Sequence, residues 1–385
     1  RIENIGLLDV NITGNTQIGT IVGNISSSTI FNSFATGQVT ATSTSLNNLI
    51  GGLVGNMNSS TLIQDSYAQV NVTAALNFAG GIAGVMSSNT TMQNVYATGS
   101  VSTDGSGAGG LTGATNGSNI TISSSYATGV ITANSGAGGL IGIDFIPSNV
   151  INSFWDTETS GQATSSGGGT GKTTAEMKTP ATFTDTATQG LDQAWDVDQV
   201  WQIGGEGFLS YPYLQGITYD EAVNPIPGRE ELLFAGGDGS EADPYQIETW
   251  QQLSNMRQEL NAYFLLMNDL GPEDAGYAEL AGPQANDGAG WEPVGSIASA
   301  FTGSLNGNGY LITGLTINRD TDNIGLFGFT FSARIENIGL LEVNISGNTQ
   351  VGSIAGAGSL TISNSFATGQ VSATSTSLNN LIGGL

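Results

Sequence analysis

Carboxylates are the best candidates for acid–base catalysis that this sequence offers. The chain has no His and no Cys, so the usual general base, a thiol nucleophile and the common zinc ligands are absent from it. Two carboxylate pairs are close enough in sequence to work together, Asp156 with Glu158 and Asp196 with Asp198. Ordinary turn and strand-end positions are the favoured interpretation of both pairs, because the 7 basic residues are scattered over the whole chain. We therefore predict no catalytic residue and no enzymatic activity.

Acidic residues in Gly-rich turns are the best metal ligands that the sequence offers. Hard oxygen ligands of this kind suit Ca²⁺. Neither acidic cluster matches an EF-hand loop or the acidic nonapeptide calcium repeat, so solvated acidic turns are favoured. Ca²⁺ is the one cofactor left open, and its candidate ligands are Asp238, Glu241 and Asp243, or alternatively Asp269, Glu273 and Asp274.

Acceptor sequences for N-glycosylation are frequent. Asn11, Asn71, Asn89 and Asn119 each precede x-Thr, and other asparagines precede x-Ser. Because the chain is rich in Asn, Ser and Thr, such sequons also arise by chance. Glycosylation at these four positions and chance occurrence both stay open.

The charge balance narrows the range of partners. The chain has 32 acidic and 7 basic residues, a formal net charge of −25. No basic patch can neutralise a run of phosphates, so we expect no nucleic-acid partner, and anionic membranes are disfavoured. No apolar run approaches the roughly 20 residues of a membrane span, so we expect no membrane insertion in this window. Divalent cations and neutral sugars, including cell-surface glycans, remain as partners.

A period of 29 residues predicts the elements that carry these side chains. Glycine pairs recur at 51–52, 80–81, 109–110 and 138–139, and an aromatic residue follows each pair at a similar phase. Each unit contains three strand-like runs separated by turn residues, and it can bury its apolar face only against stacked neighbours. We predict an all-β parallel β-helix with coils of about 29 residues and glycine pairs at the corners. Two rows should line its core: Tyr67, Tyr96, Tyr126 and Phe154, and Leu53, Ile82, Leu111 and Leu140.

Several of these runs resemble a known repeat. The segments at 51–55 (GGLVG), 65–68 (DSYA) and 125–129 (SYATG) resemble the GLUG repeat of bacterial and archaeal surface proteins. The segments at 152–156 (NSFWD) and 171–177 (GKTTAEM) are similar to the piece that closes GLUG arrays. The resemblance covers most of the chain and implies a secreted, adhesin-like protein of the cell surface, without implying a ligand. The sequence departs from the pattern at Gln69, where neighbouring copies have Thr, so this coil is expected to turn differently.

A second, longer period contains the first. Residues 1–53 match residues 334–385 at roughly 40 identical positions with one deletion, and the two segments start 333 residues apart, at Arg1 and Arg334. This predicts a tandem array of near-identical large units. We expect the chain to hold one full unit and the start of the next, with neighbouring repeats of the same protein as end-to-end partners.

The composition of successive segments predicts a domain layout. We expect a β-solenoid over 1–156, a closing segment over 157–214 with a short helix at 173–178, and a linker over 215–233. An opening segment follows over 234–311, with a helix from Thr249 to Leu260 capped by Thr249, and then the next solenoid over 312–385. The closing and opening segments should cover open strand edges.

The predicted function follows from the repeats. We expect a structural repeat of a giant secreted protein that forms an extracellular fibre, stalk or adhesin shaft. The alternative is a glycan- or ice-binding module on a flat Thr/Ser/Asn face, in which Thr36, Thr98 and Thr128 form part of a row that Gln69 interrupts. A third possibility, a polysaccharide-active enzyme, would depend on Asp156 and Asp196.

Overall fold

The chain folds into two units that are both built from parallel strands. The computed structural model describes residues 1–44, 48–205, 208–375 and 381–384, and its two compact units are Arg1–Glu230 and Glu231–Leu385. Nearly all strand pairs are parallel, and the helices are short. The predicted all-β parallel solenoid is therefore confirmed.

The first unit contains most of the solenoid coils. Its helices are α1 (Thr157–Ser160), α2 (Thr174–Met177) and α3 (Ala181–Thr184). Its strands, with β23 at the boundary, are β1 (Ile2–Glu3), β2 (Gly6–Gly14), β3 (Gln17–Ile18), β4 (Val22–Ser26), β5 (Thr29–Phe31), β6 (Phe34–Ala41), β7 (Leu49–Gly51), β8 (Val54–Asn58), β9 (Leu62–Ala74), β10 (Phe78–Gly80), β11 (Ala83–Ser87), β12 (Thr91–Ala97), β13 (Val101–Gly109), β14 (Thr112–Asn116), β15 (Thr121–Ser123), β16 (Tyr126–Ala127), β17 (Ile131–Gly138), β18 (Ile141–Asp144), β19 (Asn149–Asp156), β20 (Gly168–Lys172), β21 (Trp201–Gly205), β22 (Phe208–Leu214) and β23 (Glu230–Glu231).

Equivalent strands of successive coils pair in register. In the stack β4–β8–β11–β14–β18, Val54 pairs with Ala83, Ala83 with Thr112, and Thr112 with Ile141, each step being 29 residues. The predicted coil length is confirmed. Fifteen of the other strands form a larger parallel sheet in which β9, β12 and β13 are central, whereas β21 and β22 pair antiparallel in a separate, smaller sheet.

The glycine pairs lie where two backbones meet closely. A Cβ added to Gly81 would lie 2.0 Å from the carbonyl oxygen of Gly110, and one added to Gly110 would lie 2.2 Å from that of Gly139. Such distances leave no room for any side chain, so only glycine fits at this corner. The sequence-based interpretation of the glycine pairs is confirmed.

A second corner explains the Asn-Ser-aromatic motif. Asn94 has a left-handed backbone (φ +51°), and its Nδ2 donates to Asp65 Oδ1 of the coil below at 2.8 Å. The serine that follows such a corner is buried and joins coils: Ser125 Oγ accepts from the N–H of Val95 at 3.1 Å and donates to the Ser123 carbonyl at 2.7 Å. The motif therefore satisfies backbone groups where the strand ladder bends.

The interior of the first unit holds only one of the two predicted rows. Leu53, Ile82, Leu111 and Leu140 belong to the inner core together with Val, Ala and Met side chains, as expected. The aromatic row does not: Tyr67 and its equivalents form a separate cluster on the outer side of the sheet. The prediction that the aromatic residues line the core was wrong, because Ala68 and its equivalents occupy the inner position instead.

The second unit repeats this architecture with longer insertions. Its core includes Trp250, Trp291 and Phe301. A stack of five parallel strands begins within the predicted opening segment. The elements are β24 (Tyr245–Ile247), α4 (Trp250–Asn255), a 3-10 turn (Met256–Gln258), β25 (Tyr263–Leu266), α5 (Tyr277–Leu280), α6 (Ala285–Gly288), β26 (Ser304–Asn306), β27 (Leu311–Thr313), β28 (Thr316–Asn318), β29 (Phe327–Glu336), β30 (Gly339–Gly347), β31 (Val351–Gly352), β32 (Ala355–Ser363), β33 (Phe366–Ala373) and β34 (Ile382–Gly383).

The predicted helix is present but shorter. Thr249 caps α4 through a bond from the Gln252 N–H to its Oγ1 at 3.2 Å, as the sequence indicates. The α-helix ends at Asn255, and a 3-10 turn continues to Gln258. The turn ends there because Glu259 leaves the helical region (φ −133°, ψ 56°).

Candidate functional site

The outer aromatic row is the most elaborate side-chain arrangement of the first unit. The rings of Tyr67, Tyr96 and Tyr126 stack with centroids 4.4 and 5.1 Å apart and planes within 10° of parallel. Phe34 extends the stack at one end, and Phe154 pairs with Tyr126 in the register of β16 and β19. The in-register strands set this spacing, because one ring follows another at every coil. We call these five residues the aromatic ladder.

The chain covers the aromatic ladder with its own downstream segment. The hydroxyl of Tyr67 donates to Asn224 Oδ1 at 2.6 Å, that of Tyr126 donates to the Pro212 carbonyl at 2.5 Å, and that of Tyr96 lies 3.2 Å from the hydroxyl of Tyr219. The apolar cover consists of Met177, Phe183, Leu191, Trp195, Trp201, Tyr211 and Leu214.

The closing segment thus has two parts. β20 pairs with β19 at the edge of the stack, as expected of a closing piece, whereas residues from 177 onward lie on the flank over the aromatic ladder. Part of the predicted linker also packs there, since Tyr219 and Asn224 contact the ladder. The predicted boundaries between the solenoid, closing segment, linker and opening segment are not tested and stay predictions.

Burial keeps the tyrosine hydroxyls of the aromatic ladder protonated. Desolvation is the main cause that raises the pKa of Tyr67, Tyr96 and Tyr126 above the ordinary value, and the nearby Tyr219 adds to it. The phenols are neutral donors at any physiological pH. The ladder therefore serves packing and hydrogen bonding rather than acid–base chemistry.

Asp156 links several segments of the fold through hydrogen bonds. It is fully buried and caps α1, with Oδ1 accepting from the N–H groups of Glu158 and Thr159 at 2.9 and 3.0 Å. Its Oδ2 accepts from the hydroxyls of Tyr211 at 2.6 Å and Thr174 at 2.7 Å. Four donors from three segments, α1, α2 and β22, occupy the carboxylate, so a substrate would have to displace one of them.

The other carboxylates of the two pairs also bind backbone groups. Glu158 Oε2 accepts from the N–H of Thr174 at 2.8 Å. Asp196 Oδ1 accepts from the N–H groups of Asp198 and Gln199 at 3.1 and 2.9 Å, as in a turn. The absence of enzymatic activity stays a prediction.

The two alternative sets of candidate calcium ligands lie in separate turns, at 238–243 and at 269–274. Asp238 is exposed, and hydrogen bonds from the side chain and N–H of Ser240 lower its pKa. In the alternative set, Asp269 Oδ1 accepts from the N–H of Leu311 at 2.8 Å and Asp274 Oδ2 from that of Gly271 at 2.6 Å. Within the described ranges, no three acidic side chains come together in a metal-binding group. Binding of Ca²⁺ stays a prediction.

All four predicted glycosylation sites are exposed. Asn11 and Asn71 lie on the outward face of β2 and β9. Asn89 and Asn119 lie at a corner with left-handed backbones (φ +59° and +58°), where Asn119 Nδ2 donates to Asn89 Oδ1 at 2.9 Å.

The predicted Thr face is not an exposed one. Thr36 and Thr128 are only 5% and 7% exposed, and Thr36 Oγ1 accepts from the N–H of Asp9 at 3.0 Å. Thr98 is half-buried. Because none of the three side chains is fully exposed, this part of the binding-face hypothesis was wrong.

The structure presents a different hydroxyl row that the sequence analysis missed. Its members are fully or partly exposed and aligned by strand register: Thr13, Thr40, Thr73, Ser102 and Thr132. The signal was available in the sequence, since each member follows an apolar residue that faces the core, half-buried Ile12 before Thr13 and a fully buried Val or Ile before the other four. We call it the outer hydroxyl row.

The fold and this surface define a repetitive parallel β-solenoid whose outer aromatic ladder is covered by its own chain. No family model matches the sequence. The chain is similar to a protein of Evansella cellulosilytica provisionally named a Gly-rich membrane protein, with 44% identity over 102 residues, and to Halomucin of Haloquadratum walsbyi, with 34% identity over 157 residues. The matched parts are 26% and 39% of this chain but only 11% and 2% of those proteins.

One solved structure also resembles the chain. A crystal structure of a protein from Bacteroides ovatus, provisionally named an immunoglobulin A1 protease, aligns with 56% of this chain and 69% of its own at a TM-score of 0.41 and 20% identity. Among the described residues, no helix is both long and apolar enough to cross a membrane.

Proposed function

We propose that this chain is a structural repeat of a giant secreted surface protein of the GLUG type, which forms an extracellular fibre, stalk or adhesin shaft. One observation carries the proposal. The duplicated sequence folds into the same coil twice, with pairs from Gly6–Phe34 to Gly14–Ala41 in one copy and from Gly339–Phe366 to Gly347–Ala373 in the other. A register that survives duplication allows a protein to grow by whole units.

Stacking supplies the stability that such growth needs. Ile5, between β1 and β2, is 39% exposed in a coil at the edge of the first unit, but the equivalent Ile338 is 1% exposed where β27 and β28 lie beside its coil. Each added coil thus buries apolar surface of its neighbour and advances the solenoid by about 4.8 Å. The names and lengths of the similar proteins support a place in a very long, surface-associated protein.

The mass of the native polypeptide tests the proposal. We expect a denaturing gel calibrated for very large chains to give many hundreds of kilodaltons, and electron microscopy of the same material to reveal rods. The purified 385-residue chain serves as the size control. A native polypeptide close to one 333-residue unit in mass would contradict a covalent array.

The outer hydroxyl row favours a second candidate function, binding of a neutral glycan or of ice. Its side chains are regularly spaced and lie on a part of the chain with few charges. Lysine at Thr40 and Thr132 should abolish retention on a glycan array or the inhibition of ice recrystallisation, if the wild-type chain has either activity. A wild-type chain that is inactive in both assays would exclude this function.

A further inference from the structure

Sequons and charged residues occupy complementary parts of this chain. Residues 4–155 and 343–385 contain only four carboxylates, Asp9, Asp65, Asp104 and Asp144, and no basic residue. Apart from Glu3, the other 27 of the 32 carboxylates lie between 156 and 342, where no sequon occurs although asparagines are present. All eight sequons fall in the nearly uncharged parts, at Asn11, Asn24, Asn58, Asn71, Asn89, Asn116, Asn119 and Asn344.

We propose that the uncharged solenoid surface is N-glycosylated, foremost at Asn11, Asn71, Asn89 and Asn344. In the reaction, Nδ2 of the asparagine attacks the anomeric carbon of a sugar carried on a lipid phosphate. The C–N bond forms as the bond from the anomeric carbon to the phosphate oxygen breaks. The phosphate leaves with the electron pair, and the proton that Nδ2 loses neutralises the charge gained by the departing lipid phosphate.

Accessibility separates the sequons into two groups. The four foremost asparagines and Asn116 are exposed, and within the described residues none of their Nδ2 atoms donates a hydrogen bond. By contrast, Asn58 Nδ2 donates to Asn24 Oδ1 and Asn24 Nδ2 donates to Gln17 Oε1, both at 2.8 Å. Asn119 Nδ2 is engaged by Asn89. Attack on the sugar requires a nucleophile free of such bonds, so these three positions should be modified less.

The fold also gives attached sugars room. Asn11 pairs with Gln38 and Gln38 with Asn71, so the two sequon asparagines share one outward row two coils apart. At about 4.8 Å per coil, their separation is roughly 10 Å. Asn344 occupies the matching position of the duplicated segment, where it pairs with Gln370. The pattern therefore recurs with the large unit.

Hydration explains why sugars would belong here. Net charge keeps a protein soluble, but in this chain 27 of the 32 carboxylates that supply it lie between 156 and 342, a stretch that has no sequon. The sequon-bearing coils expose uncharged groups, including Val130 at 58% exposure. A glycan is bulky and solubilising, so it would hydrate and separate the surfaces that charge does not.

Mass spectrometry of the chain secreted by its native host tests the proposal. After peptic digestion, fragmentation that preserves the sugar–peptide bond should locate glycan masses at Asn11, Asn71, Asn89 and Asn344, at occupancies several-fold above those of Asn24, Asn58 and Asn119. The exposed Asn149 is not in a sequon and should be bare. Bare asparagines at all four sites, or sugars only on Ser and Thr, would overturn the proposal.

Matched variants at Thr73 separate glycosylation from a folding defect. Thr73→Ser keeps the sequon and should keep the glycan at Asn71. Thr73→Val keeps the shape of the side chain on an exposed strand position but removes the hydroxyl, so the glycan at Asn71 should be lost while circular dichroism is unchanged. A glycan that persists in Thr73→Val would refute sequon-directed attachment.

Discussion

Ser125 illustrates how one small side chain joins two coils at a bend. Its Oγ is the acceptor for the N–H of Val95, which lies between the segments of β12 that pair with β15 and β16. Substitution Ser125→Ala leaves that buried N–H unpaired, and we expect a loss of about 1–3 kcal/mol in the free energy of unfolding. Urea unfolding followed by circular dichroism measures it. The exposed Ser135→Ala should change stability by no more than about 0.5 kcal/mol, and equal effects of the two would contradict this role.

The buried tyrosines predict a dependence on alkaline pH. Their folded-state pKa values are raised, while unfolded tyrosines titrate near about 10. Above that pH the unfolded chain loses protons that the folded chain keeps, so the free energy of unfolding should fall as the pH rises past 10 and be constant below it. Unfolding measured between pH 8 and 11.5 checks this. Tyr96→Phe should weaken the dependence, and tyrosinate absorbance that rises before unfolding would disprove the assignment.

At the scale of elements, Asp156 connects β19, α1, α2 and β22. Asn in its place keeps the shape but offers one oxygen where two accept four bonds, so Asp156→Asn should cost about 1.5–3 kcal/mol. We expect faster proteolysis of the closing segment between 185 and 200, with the solenoid intact by circular dichroism. The control is Asp198→Asn on an exposed position. Unchanged proteolysis would mean that the apolar cover alone holds the segment.

The sequence period predicted the positions of the strands and corners better than it predicted which side chains face the core. The 29-residue period, the glycine corners and the Thr249 cap follow from the sequence because each reflects a local rule of backbone geometry. The outward direction of Tyr67 could not be predicted in this way. An apolar row is expected in a core, and only the distant cover from Met177 to Leu214 makes the outer face an apolar site as well.

The same limit explains the two Thr rows. Thr36 and Thr128 were aligned by phase in the sequence, but both side chains are buried where the alternation is interrupted, at Gly37 (φ +122°) after Thr36 and at the end of β16 before Thr128. The exposed row at Thr13, Thr40 and Thr73 lies in straight strand segments, where simple alternation holds. At bends that interrupt the alternation of side chains, the sequence alone therefore does not predict which side chains face outward.

At the scale of the whole molecule, acidic residues greatly outnumber basic ones and are unevenly distributed along the chain. A formal net charge of −25 destabilises a compact state through self-repulsion. The screening length is about 30 Å at 0.01 M salt and about 3 Å at 1 M, so repulsion between exposed carboxylates is largely removed across that range. We expect the melting temperature to rise with NaCl, by about 2–4 °C for each kcal/mol of repulsion removed. Calorimetric scans over this range measure the rise.

A triple variant distinguishes screening from a general effect of solutes. Asp185→Asn, Asp192→Asn and Asp198→Asn remove three exposed charges from the closing segment, and together they should raise the melting temperature at 0.01 M NaCl and reduce its dependence on salt. Sucrose stabilises by exclusion from the surface and should act equally on wild type and variant. If the variant and the wild type respond identically to NaCl, self-repulsion is not what salt relieves. The acidic segments would then owe their composition to a contact outside this chain rather than to solubility.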